Sequence, residues 1–255
     1  EEGALATFPP AEIEVGDLTS FALELAVWGG RPDQMGFVTP PHDGRLAEAH
    51  AVLQMLGALD TQCRITAHGR RLAGLPLHPR LAHMVEKGGS NAPLFAALLS
   101  ERDILRGAPA DLALRFEAAK DSARFQREHG WEPHRPTLLR VREEAKRLKA
   151  RAQGTGSNTL GVLAALAYPD RIGLRRPGDA PRYVLSGGKG AVMPDGDPLA
   201  GARLLVATDL DGDPREARIR QAVTLTQTDL RDTFPDQIHW HDLCAWSRRD
   251  GRVLS

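Results

Sequence analysis

The sequence predicts an α+β chain in three modules, two of them helical and the last built of short strands. Three observations carry this. Apolar residues recur at helical spacing from Leu18 to Leu166. After Pro169 the texture changes to short runs, RIGLRR, RYVLS, GAVM, ARLLVATDL and ARIRQAVTL, separated by Gly, Pro and Asp. Charge is also unevenly spread: Lys and Arg number 2 against 10 Asp and Glu in residues 1–60, 18 against 10 in 61–151, and 13 against 13 in 152–255. The start is acidic and the middle basic although the whole is neutral, an asymmetry that suits a middle facing a polyanion and a start docking on something else.

The first module spans residues 1–75. Leu18, Phe21, Leu25 and Trp28 lie at helical spacing behind a cap at Asp17, and Ala49, Leu53 and Leu56 form a second stripe ending at Gly57. The stretch ALDTQCRITAHG then offers a turn, a short extended piece around Arg64 and Ile65, and Thr66 as the cap of a brief helix stopped before Pro76. Helix, helix, short extended segment is the order of a winged helix.

The second module, residues 76–155, stays helical. Leu81, Met84 and Val85 precede Gly88, and Asn91 is a cap with Pro93 in the first turn of a helix through Leu94, Leu98 and Leu105. A third helix is expected from about Pro109 to Glu128. In the fourth, Leu138, Val141, Ala145 and Leu148 make a narrow apolar stripe while Arg140, Arg142, Lys146, Arg147, Lys149 and Arg151 crowd the remaining surface. These make a small helical bundle.

The third module, residues 156–255, begins in AQGTGSN (152–158), whose composition is that of a connection; Ser157 or Asn158 is the expected cap of a helix running through Leu163 and Leu166. The five short runs that follow predict a small barrel, the last alternating at Ile219, Val223 and Leu225 with Arg218, Arg220 and Thr224 opposite. QIHWHD and RVLS are expected as a closing pair.

Several chemistries are excluded. No apolar run approaches the roughly 20 residues needed to cross a bilayer. Cys63 and Cys244 lie far apart without a C-x-x-C partner, which fits a reducing compartment. The opening EEGALATFPP lacks the features of a signal peptide and reads as a trimmed start. SGGKG fails as a phosphate loop because Tyr183 and Gly190 occupy the places of the first glycine and the magnesium-binding hydroxyl. GTGSNTLG fails as a dinucleotide fingerprint because Thr159 replaces its third glycine. His239, His241 and Cys244 lack a fourth zinc ligand, so no metal site is expected. His68, His78 and His83 read as structural histidines, and Glu143 and Glu144, among Lys and Arg, as partners in surface ion pairs. No catalytic residue is assigned.

The run LGALDTQCRITAHGRRLAGLPLHPRLAHMV resembles the junction between the winged-helix and ratchet domains of DEAH-box helicases. EIEVGDLTSFALELAVWG resembles the segment after the last motif of their second motor domain, and the stretch from LAALAYPDRIGLRRPGD to RIRQAVTL is similar to the bacterial HrpB branch. Together these cover most of residues 12–225, and residues 226–255 match loosely. Ala202-Arg203-Leu204 stands where the branch often has an aromatic, and Cys63 interrupts its usual polar turn. Nucleotide-binding loop, DEAH-type box and last motor motif lie outside this chain.

That resemblance implies a winged helix, a helical ratchet of the HA2 kind and an OB-like barrel, forming a collar that grips single-stranded RNA. It implies motor domains as partners, with ATP and magnesium as their cofactors and none here, and a bacterial, cytoplasmic setting. The residues expected to follow RNA phosphates are Arg140, Lys146 and Arg147, continuing to Lys149 and Arg151, and on the barrel Arg171, Arg175, Arg176, Arg182 and Lys189 around the Gly-rich loop at 187–190. Two other readings stand beside it. A winged-helix DNA-binding regulator needs a basic recognition helix in residues 1–75, where only Arg64, Arg70 and Arg71 cluster. A protein-docking scaffold predicts no salt-dependent RNA binding.

Overall fold

The computed structural model describes residues 11–30, 32–152, 156–213 and 216–238, and the backbone of 245–247 and 252–254. After a single turn, α1 (Glu12–Val15), helix α2 (Thr19–Trp28) packs on α3 (Asp43–Met55). Asp17 Oδ1 accepts from the Thr19 amide at 2.8 Å, as expected of a cap. Leu18 and Leu25 are buried and Phe21 partly so, but Trp28 is 72% exposed: it closes the helical stripe in the sequence and projects from the helix end in space. Gly57 adopts φ +69°, the left-handed conformation that ends α3. Thr66 then caps α4 (Ala67–Ala73), its Oγ1 accepting from the Gly69 amide at 2.9 Å and donating to the Gly57 carbonyl at 2.7 Å. A single bridge, Leu59 to Ile65, is the whole of the extended piece.

The bundle comprises α5 (Pro79–Gly88), α6 (Ala92–Ser100), α7 (Leu112–Lys120), α8 (Ser122–His129) and α9 (Arg135–Lys149). The helix expected over 109–128 is two helices, because Asp121 leaves the helical conformation and its side chain caps α8 by accepting from the Arg124 amide at 3.0 Å. Asn91 takes the N-cap position of α6 as expected but makes no side-chain cap bond; its Nδ2 donates to Ser157 Oγ at 3.1 Å and ties the bundle to the connection after it. The cap of α10 (Leu160–Ala167) is Thr159, one to two residues later than expected, since Asn158 spends its amide on the Gly88 carbonyl.

Strands β1 (Ile172–Arg175), β2 (Arg182–Leu185), β3 (Gly190–Val192), β4 (Leu204–Leu210) and β5 (Glu216–Thr224) close a barrel in the order β1-β2-β3-β5-β4. Only β3 and β5 pair in parallel. All five predicted strands are present. The alternation in β5 breaks where a register shift between Ala207 and Leu210 of β4 leaves Ala222 and Val223 both buried. Most of QIHWHD lies outside the described residues; RVLS contributes β7 (Arg252–Leu254), which pairs with β6 (Ala245–Ser247) in a separate two-stranded sheet, and the barrel closes through β1 and β4. Helix α11 (Gln227–Thr233) follows the barrel and rests on α10. His239, His241 and Cys244 lie outside the described residues.

Two cores result. One runs without interruption from Leu53 and Leu72 through Met84, Phe95, Phe125 and Val141 to Leu163, reaching Val206 and Val223 on the barrel wall. The other fills the barrel with Leu185, Met193, Leu205 and Ile219 around Tyr183. Tyr183 is wholly buried, and its single hydroxyl proton faces the Leu199 and Ala202 carbonyls, both at 3.0 Å. A second tie joins bundle to barrel: the Ala222 amide donates to the Ala110 carbonyl at 3.0 Å, and the Ala110 amide to Asp197 Oδ2 at 2.8 Å.

Candidate nucleic-acid interface

Because α10 delivers the chain from the bundle to the barrel, the 3-10 turn Pro169–Arg171 comes to lie beside α5, α6 and α9, leaving a groove of about 900 Å3 between them. Leu77, Leu81, Leu99 and Leu139 supply apolar surface, and Tyr168 an aromatic ring. Leu139 is 62% exposed, although it sits between buried Leu138 and Val141 on α9. Four arginines line the groove: Arg80 from α5, Arg140 and Arg147 from α9, and Arg171 from the turn. Four carboxylates, Asp17, Glu101, Glu143 and Glu144, line it too.

Pairing decides which charges are available. Arg140 grips Glu101 through two nitrogens, each at 3.1 Å, and that guanidinium holds the Glu101 carboxyl below the usual carboxylate range. Arg147 reaches Glu144, and Lys146 reaches Glu143, at 3.4 Å one helical turn apart, and both cations remain about three-quarters exposed. Exposed pairs of this kind contribute only about 0–1 kcal/mol, so a phosphate can replace the carboxylate at little cost. Asp17 is held far below the ordinary carboxylate range, chiefly by its contact with His78 and by the Thr19 cap, so it stays ionised at the mouth of the groove. Arg80 and Arg171 both stack on Tyr168, at 5.3 and 5.0 Å, and Arg171 also donates to the Thr208 carbonyl at 3.1 Å. Burial raises the Tyr168 phenol above its usual range, so the ring stays neutral.

Of the residues expected from sequence, the groove gathers Arg140, Arg147 and Arg171, with Lys146 adjacent on α9. Lys149 and Arg151 do not line the groove, and Arg151 reaches the Gly74 carbonyl at 3.4 Å. Arg175, Arg176, Arg182 and Lys189 sit apart on the barrel. Arg175 is spent on the Ala200 carbonyl at 3.0 Å and Arg182 on Glu216 at 3.2 Å. Arg176 and Lys189 are exposed and make no side-chain bond among the described residues. The Gly-rich loop approaches protein instead: the Gly187 amide donates to the Asp170 carbonyl at 2.8 Å, where a Cβ would come within 2.9 Å of that oxygen. Arg80, Tyr168 and Leu139 escaped sequence reading. The acidic partner of Arg80 lies 90 residues away, a separation that no local pattern reveals.

Other polar clusters are structural. His68 Nε2 meets His83 Nδ1 at 2.8 Å between α4 and α5, and His78 Nδ1 caps α5 by accepting from the Arg80 amide at 3.3 Å. Glu117, Glu128 and His129 come close enough to hold an ion, but Arg124 already occupies Glu128 at 2.8 Å and His129 lies 3.3 Å from Glu117, so each group already has a protein partner. No helix among the described residues is long and apolar enough to cross a membrane.

A winged helix joined to a helical bundle and a closed five-stranded barrel defines a helicase-associated accessory region, and residues 49–77 match the family model described as "Helicase associated domain (HA2), winged-helix". Over 99% of its length the chain is 32% identical to the ATP-dependent RNA helicase HrpB of Escherichia coli (strain K12), and it spans 30% of the length of that protein. Two solved structures agree. The E. coli DExH-box NTPase HrpB matches with 29% identity and a TM-score of 0.76, and the Escherichia coli DEAH/RHA helicase HrpB with 26% identity and a TM-score of 0.71; the chain covers 99% of itself and 30% of the matched chain in each. The chain therefore belongs to the HrpB-type helicases, and the resemblance read over most of residues 12–225 is borne out by a match over 99% of the chain.

Proposed function

We propose that this chain is the part of an ATP-dependent RNA helicase that holds single-stranded RNA while separate motor domains hydrolyse ATP with magnesium, in a bacterial cytoplasm. The observation that carries this reading is the groove. Cations from two modules, Arg140 and Arg147 from the bundle and Arg171 at the barrel entrance, converge there beside Tyr168. Arginines beside a neutral ring suit phosphates, and with no pattern of base-edge donors they favour no sequence. The barrel is OB-like, a reading that rests on its strand order and its single parallel pair, β3 with β5. The acidic surface of residues 11–60 repels RNA and suits the motor domains as partner.

The test is anisotropy of a short fluorescent single-stranded RNA, and of matching duplex DNA, titrated with the chain at several salt concentrations. Preference for the RNA, weakening steeply with salt and reduced by reversing Arg147 or Arg171, supports the reading. No binding at low salt sinks it and leaves a docking scaffold.

A further inference from the structure

A second cleft, about 330 Å3 in volume, opens beside the start of α9. Buried Ile104 and Leu105 form its floor, and Trp131 forms one wall. The indole plane is set by two near-parallel rings, His129 at 8° and 6.3 Å and Phe125 at 25° and 6.5 Å. Arg106 and Arg135 stand at the rim. Arg106 is exposed and makes no side-chain bond or ion pair among the described residues. Arg135 reaches only Glu132, at 3.4 Å, with both side chains mostly in solvent, a pair of little worth. A partly exposed indole held in a fixed plane, with one free and one weakly paired guanidinium beside it, has the composition of a site for a nucleobase and its flanking phosphates.

Arg135 lies four residues before Leu139, so the two are neighbours on α9, and the same ridge winds on through Glu143 to Arg147. The last three line the groove. One ridge of α9 therefore winds from the Trp131 cleft to the groove over roughly 18 Å of helix axis, a span of a few nucleotides at 1.5 Å of rise per residue.

We propose that the Trp131 cleft is a nucleobase-stacking subsite for the strand held in the groove, with Arg106 and Arg135 taking the neighbouring phosphates. The proposal rests on the RNA reading above. Stacking uses the face that every base has, so the subsite grips without choosing a sequence.

The experiment is an abasic scan. Single-stranded RNAs, each lacking one base, are titrated against the whole chain and against Trp131→Ala, Trp131→Phe and Arg106→Ala. In the unaltered chain, loss of one particular base weakens binding roughly 5- to 150-fold, the range for one base stacked on an aromatic ring. Trp131→Ala weakens the intact RNA by the same factor and removes the penalty at that position only, Trp131→Phe keeps it, and Arg106→Ala lowers the salt dependence. Equal scans in the unaltered chain and Trp131→Ala overturn the subsite while the RNA reading stands. Should Trp131→Ala fail to fold, a scan with no sensitive position in the unaltered chain, or unchanged salt dependence in Arg106→Ala, overturns it. Absence of RNA binding by the unaltered chain overturns both.

Discussion

Arg80 of α5 and Asp170 of the turn into the barrel meet through two guanidinium nitrogens, at 2.5 and 2.9 Å. The Arg80 side chain is only 6% exposed, and its Nη1 also donates to the Ala167 carbonyl at the end of α10, at 3.2 Å. One side chain thereby satisfies a helix terminus, neutralises a carboxylate and sets the direction in which the chain enters the barrel. Tyr168, held between Arg80 and Arg171, takes its place in the groove from the same contact.

Breaking this pair should be costly. Asp170→Ala leaves a guanidinium buried without its counter-charge and is expected to destabilise the fold by about 3–5 kcal/mol. Glu101→Gln, which breaks the more exposed pair with Arg140, should cost less than about 1 kcal/mol. Urea unfolding of the two variants measures the difference, and equal effects would show that the buried pair is not what holds the turn.

Stability should fall in mild acid. Burial, and the neighbouring His68 and Lys87, lower His83 from 6.5 to about 4. A group depressed in the folded state binds its proton more readily when unfolded, so the stabilisation is complete above pH 6.5 and is lost as pH falls towards 4. The loss should be about 2 kcal/mol by pH 5, read from thermal midpoints. His83→Gln should flatten that dependence; an unchanged slope would assign it to other groups.

Gly161→Ala should destabilise the chain although alanine is the better helix former. A Cβ at this position of α10 would strike the Thr224 carbonyl oxygen of β5, so the helix must lift from the barrel. Overpacking of this kind costs about 1–3 kcal/mol, more than the roughly 1 kcal/mol gained in helix propensity. A rise in the urea midpoint would mean that α10 is free to shift.

Charge reversal along α9 separates RNA holding from folding. Arg147 is 75% exposed, so Arg147→Glu should leave the unfolding midpoint within about 0.5 kcal/mol. It should also reduce the salt slope of single-stranded RNA binding by about 0.7 for each phosphate that the variant no longer neutralises. An unchanged slope would place the strand elsewhere.

Helices and strands were legible where each residue answers to its neighbours. Thr66, Gly57 and the stripe Leu138, Val141, Leu148 act within one or two turns of their own chain, and the structure places them as the spacing predicts. The break at Asp121 was missed because an aspartate within a helical pattern can serve either as a surface residue or as a cap, and the choice is made by what α7 and α8 pack against. The site was half legible. Exposed cations on α9 show in the pattern, but whether Arg182 is free or tied to Glu216 depends on a pairing across the barrel. Arg80 gave no sign at all, since its whole role comes from residues 87 to 90 positions away.

Helix α10 rests on α5 and also on β4 and β5. A truncation placed just before Thr159 would therefore strip both pieces, baring the α5 residues that meet α10 on one and Leu163 on the other. Newly exposed apolar surface of that extent drives self-association. Deletion mapping across this point would then report aggregation, and apparent loss of binding in either half would say nothing about where the ligand sits.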